Sequence, residues 1–145
     1  MTFFNCIQKY YGSEYDYNCA ETGLYAANEA YRLNLSPDAL KAMAAFGGGM
    51  SVDRVCGAIS SALVALSILF VQERAHESEK IKTLVGEFYK GFLDEFGTDQ
   101  CSELKPVYHD EESRCSKIFR VSTRILDEVI EKERNPMIEE ADALA

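Results

Sequence analysis

"VCGAISSALVALSILFV", Val55 to Val71, is the stretch on which the fold turns. Seventeen residues pass without a formal charge, and they carry a Cys, a Gly and three Ser among the aliphatics. A helix that is apolar all round sits in a membrane or in the middle of a protein. The run is marginally short for a bilayer, and its small polar residues suit close packing better than lipid. It therefore reads as a buried central helix, about 54–72, with the rest of the chain arranged around it.

Outward from that helix the period is helical throughout. Leu24, Ala27, Ala30 and Tyr31 form an apolar stripe over Cys19 to Leu33. "LSPDALKAMAAF" offers Ser36 as N-cap and Pro37 at the first helical position, which predicts a helix ending at Gly47–Gly49. A further helix is expected over His76 to Phe96, with Leu84, Phe88 and Phe92 inward and Gly97 at its C-cap. A short turn around Cys101 to Leu104 should stop before Pro106. The last helix should run from about Ser113 to Glu133 and end at Asn135-Pro136. No segment alternates long enough for a strand. The fold class is all-α, a compact bundle of about five helices in one domain over 1–145, with a flexible tail from about 135.

Charge narrows the function classes. Fifteen Lys and Arg against 24 Asp and Glu leave a net charge of -9, and the cations are scattered among acids. Such a surface repels phosphate backbones, so nucleic acid is not expected as a partner, nor is membrane insertion. The N-terminus lacks the basic and apolar regions of a signal peptide, which points to the cytoplasm. Hydrolase signatures of the G-x-S-x-G and H-E-x-x-H kinds are missing. An acidic helical bundle is compatible with a monomer or a homodimer, and the tail "MIEEADALA" offers one amphipathic partner face.

Five cysteines in a reducing compartment ask for chemistry other than structural disulfides. Cys19, Cys56, Cys101 and Cys115 each follow a capping residue type by one to three positions: Asn18, Asp53, Thr98 with Asp99, and Ser113. All four are thus expected in first helical turns, where unpaired amides favour an anion and lower a thiol's pKa. Arg54, Lys105, Arg114 and Lys117 stand nearby in sequence. Cys6 reads as structural. His109 is either a solvated loop histidine or an extra ligand or base near Cys115, and His76 marks a helix start. Glycines 47–49 leave the backbone free for left-handed angles and close approach, and their amides can form an anion-binding concavity. The aromatic segment Tyr10 to Asn18 can cover a site near Cys19.

"NCAE" at 18–21, "FGGGM" at 46–50, "CGAISSAL" at 56–63, "FGTDQC" ending at Cys101 and the lone Cys115 together resemble the C-GCAxxG-C-C family of redox-active proteins. The resemblance implies redox roles for Cys19, Cys56, Cys101 and Cys115, with Gly57 and Ala58 from the motif. Ser61 replaces the motif's final glycine, which bears on how closely another helix approaches there. If the four thiolates converge, a directly bound cation relieves their repulsion, and four cysteines suit an iron-sulfur cluster or zinc. On this reading the same residues are metal ligands, with Gly47, Gly48, Gly49, Gly57 and Ala58 around the group. The absence of C-x-x-C pairs disfavours structural zinc. The alternatives are thiol-disulfide cycling by two cysteine pairs, with no cofactor, and a helical interaction module whose cysteines merely pack. The redox partner is not specified by the residues.

Overall fold

The computed structural model describes residues 1–135, and these form an all-α architecture of seven helices without a strand. In order they are α1 Phe3–Tyr10, α2 Cys19–Tyr31, α3 Pro37–Lys41, α4 Gly57–Phe70, α5 Lys80–Phe96, α6 Cys101–Tyr108 and α7 Ser116–Arg134. The central apolar helix is α4. Its Ile59, Ala62, Ala65 and Leu66 are buried among side chains of α1, α2, α5 and α7, including Ile7, Ala27, Phe88, Phe92, Phe119 and Leu126. Fourteen residues at 1.5 Å each make α4 about 21 Å long. Among the described residues no helix is long and apolar enough to cross a membrane.

Several boundaries follow the residues that announce them. Asn18 closes α2 with a capping box: its side chain accepts from Glu21 N–H at 2.9 Å, and the Glu21 carboxylate accepts from Asn18 N–H at 3.1 Å. Ser36 accepts from Ala39 N–H ahead of Pro37. Gly97, at φ 72°, ends α5 in the left-handed conformation.

Other boundaries correct the sequence reading. There are seven helices instead of about five, because the short turn at Cys101 extends into the full helix α6 and because Thr2 caps an unanticipated α1 that buries Phe3, Cys6 and Ile7 on one face. Helix α3 stops at Lys41, and a 3-10 turn at Ala44–Phe46 carries the chain to the glycines. His76 lies in a separate 3-10 turn, so α5 begins four residues later at Lys80. Helix α6 continues through Pro106, its sixth residue of eight, to Tyr108; in so short a helix the proline removes only one internal hydrogen bond. The expected amphipathic tail beyond residue 135 lies outside the described residues.

The seam between α2 and α4 answers the question raised by Ser61. This side chain is 2% exposed, and a Cβ placed on Gly23 would stand 2.1 Å from its Oγ. The residue without a side chain at this contact is Gly23 on the facing helix. Close approach of α2 and α4 is preserved, and it brings Cys19 beside the start of α4.

A candidate redox site at four helix starts

All four cysteines occupy helix starts. Cys19 and Cys101 are the first residues of α2 and α6, while Cys56 and Cys115 are themselves the N-caps of α4 and α7. The anticipated capping residue holds only at Asn18; Gln100 precedes α6 in place of Thr98 or Asp99.

Short backbone links draw these starts together. Segments 54–56 and 99–101 pair antiparallel: Cys56 N–H donates to Asp99 O at 2.9 Å, and Cys101 N–H to Arg54 O at 2.6 Å. That pairing fixes Cys56 beside Cys101. Asn18 Nδ2 donates to Ala44 O at 2.9 Å, tying the approach to Cys19 to the chain entering the glycine loop. Arg114, next to Cys115, donates from Nη1 to Tyr17 O at 2.9 Å and stacks over the Tyr11 ring at 4.4 Å. Each cysteine thereby gains a fixed neighbour from a distant part of the chain.

Two of the glycines act by making room for the thiols. Gly49 has φ 63°, and a Cβ there would lie 2.6 Å from both the Cys101 Cβ and the Arg54 nitrogen. A Cβ on Gly57 would lie 2.6 Å from the Cys19 sulfur. Gly48 lines the space outside the thiols, whereas Gly47 lies against the Asn18 side chain. Ala58 lines the inner cavity, and its N–H bonds to the Cys56 sulfur.

Cys19, Cys56, Cys101 and Cys115 all line one inner cavity of about 20 Å³, closed by Ala58, Leu104, Lys105, Ile118 and Phe119. This is room for about one water-sized body. Outside it is a chamber of about 190 Å³ bounded by Cys19, Cys101 and Cys115 together with Tyr11, Asn18, Gly48, Lys105, His109 and Arg114. Cys56 is the floor and the other three sulfurs face both spaces. All the cysteines are free thiols. As the side chains stand, no three of the described His, Cys, Asp or Glu residues converge closely enough to hold a metal ion.

The residues so gathered decide the family. Residues 17–129 match the family described as "Putative redox-active protein (C_GCAxxG_C_C)". The chain belongs to this C-GCAxxG-C-C family. Searches of curated proteins and of solved structures gave no match. The family match spans all four gathered cysteines and leaves Cys6 outside. Cys6 is fully buried in α1 and donates to Glu29 Oε2 at 3.1 Å, in a cluster where Lys9 and Tyr10 also reach that carboxylate.

At Cys56, Cys101 and Cys115 of the C-GCAxxG-C-C site the electrostatics run opposite to the expectation of lowered thiol pKa values. Burial pushes the Cys56 thiol up to about 12, and the neighbouring Cys19, Cys115 and Cys101 raise it further against the Ala58 N–H. Cys115 is pushed to about 11 by burial, then by Cys19 and Cys101, with Arg114 and Lys105 opposing. Cys101 is raised by burial, Cys19 and Asp53, with Lys105 opposing. Desolvation disfavours the thiolate more than helix-end amides favour it. Tyr11, which the aromatic segment only hinted at, is raised above the ordinary phenol range by burial and by Cys19, Cys115 and Cys56, against Arg114.

A stability profile follows for the metal-free protein. Well below pH 9 the Cys56 thiol is neutral whether the chain is folded or not. Between pH 9 and about 12 the unfolded chain surrenders its Cys56 proton while the folded chain keeps it, so rising pH favours unfolding. Each pH unit is worth up to about 1.4 kcal/mol per such thiol. The Tm of metal-free protein should fall from pH 8 to pH 10, and fall less steeply in Cys56→Ala; identical slopes would contradict this account.

Proposed function

We propose that Cys19, Cys56, Cys101 and Cys115 hold an iron-sulfur cluster and that the protein uses it for electron transfer or redox sensing. The observation that carries this reading is the shared cavity: four sulfurs from four helix starts face one space. Four thiolates are the donor set such clusters take. A single tetrahedral zinc draws its four sulfurs to about 3.8 Å from one another, given Zn–S near 2.3 Å. A cluster core fills more space, and the outer chamber adjoining the inner cavity supplies it.

When bound, the cluster supplies one-electron chemistry. The chain's own residues supply the rest. Gly49 and Gly57 admit the thiols against the backbone, and Ala58 N–H bonds to the deepest sulfur. Leu104, Ile118 and Phe119 exclude water from the floor. Because Cys56 and Cys115 hold their protons firmly, loading releases protons and is favoured by rising pH. The raised Cys56 thiol weighs against the second reading, disulfide exchange with Cys56 as the attacking thiolate near neutral pH.

The test is anaerobic reconstitution with iron and sulfide, followed by absorption spectroscopy and iron analysis. The expected product is coloured and carries iron in stoichiometric amount. A colourless, iron-free product would overturn the reading.

A further inference from the structure

The outer chamber differs in charge from the rest of the surface. On a chain of net charge -9, it collects Lys105, Arg114 and His109 around one opening above Cys19, Cys101 and Cys115. Lys105 and Arg114 make no ion pair among the described residues, although seven such pairs form elsewhere. The guanidinium of Arg114 is held in place by Tyr11 and the Tyr17 carbonyl. Asp53 is a carboxylate that acts on Cys101. Unneutralised cations fixed around a concave space focus anions into it.

We propose that in the metal-free protein this chamber is a binding site for a small anion, held by Lys105, Arg114 and His109 over the sulfur atoms in the space a cluster would fill. The volume of about 190 Å³ admits a compact oxyanion or short carboxylate. Cys56, reached only through the inner cavity, takes no part in the anion's seat. The inference deepens the four-thiol reading by naming what approaches the site. It rests on the thiols and the cationic rim, and iron incorporation is a separate matter.

The experiment therefore uses metal-free full-length protein. Iodoacetate and iodoacetamide both alkylate thiolates, and they differ in that one is an anion. The ratio of their rates at a given cysteine cancels its thiolate fraction and reads the local potential. With mass mapping, that ratio at Cys101 and Cys115 should exceed its value in urea-unfolded protein by roughly tenfold at low salt, and decline as salt is added. Lys105→Gln should lower the ratio by roughly threefold and Lys105→Arg should restore it; Lys105 is exposed, so neither change endangers the fold. Competing phosphate and acetate distinguish the two forms of the site: slowing by phosphate assigns an oxyanion seat, slowing by acetate a carboxylate seat. A ratio equal to that of the unfolded chain, or one indifferent to Lys105→Gln, would overturn the proposal even in a protein that takes up iron.

Discussion

Cys56→Ser is expected to strip the reconstituted protein of iron, lowering iron per chain by about tenfold or more, a loss at least as large as outer-shell substitutions cause. A serine hydroxyl stays protonated at neutral pH and is a hard donor, while the cluster reading needs a soft thiolate at the floor of the cavity. Cys56 is 6% exposed, so neither water nor an added thiol can take its place. Cys19→Ser, Cys101→Ser and Cys115→Ser should also lose iron, since those sulfurs share the cavity. The discriminating comparison is Cys6→Ser. Its sulfur bonds to Glu29 and lines neither space, so this variant should lose some stability and keep its iron. Iron analysis beside thermal melts checks the set, and equal iron loss at Cys6 and Cys56 would dissolve the distinction between the two kinds of cysteine.

Gly49→Ala should be the most damaging substitution in the glycine run. Gly48 and Gly49 share a left-handed backbone, at φ 61° and 63°, so alanine costs about 1–2 kcal/mol at either position through backbone strain. Their surroundings differ. Nothing lies within 4 Å of a Cβ on Gly48, whereas one on Gly49 meets Cys101 and both backbone atoms of Arg54 at 2.6–2.7 Å. Overpacking against backbone adds about 1–3 kcal/mol. Because Arg54 O holds the Cys101 N–H, the displacement also opens the pairing that seats two thiols. Urea unfolding should therefore rank Gly49→Ala below Gly48→Ala, with iron uptake impaired only in the former. Equal stability of the two variants would show that the loop yields without disturbing Cys101.

The sequence made the helical class readable because its apolar positions repeat at three and four residues around one uncharged segment. Asn18, Ser36 and Gly97 marked ends correctly, since each acts locally through its own side chain or backbone angle. Helix α1 escaped because it has only eight residues, too few for a period to stand out, and its stability comes from burying Phe3, Cys6 and Ile7 on other helices. The gathering of four cysteines was legible through their common position at helix starts. Their pKa values were not, because that reading weighed the amides and had no means of seeing how deeply the sulfurs sink. The chamber's Tyr11 and His109 were legible in part, since the segment Tyr10 to Asn18 reads as a cover near Cys19 and His109 as a ligand or base near Cys115. Both stand far from the glycine loop in sequence and join it only through contacts such as Arg114 with Tyr17.

The unequal depth of the sulfurs has a consequence for wear. A peroxide arriving from solvent meets Cys19, Cys101 and Cys115 in the chamber before it can reach Cys56 on the floor. Oxidation thus begins at thiols that a repair reductant can also reach, and the innermost one is touched last.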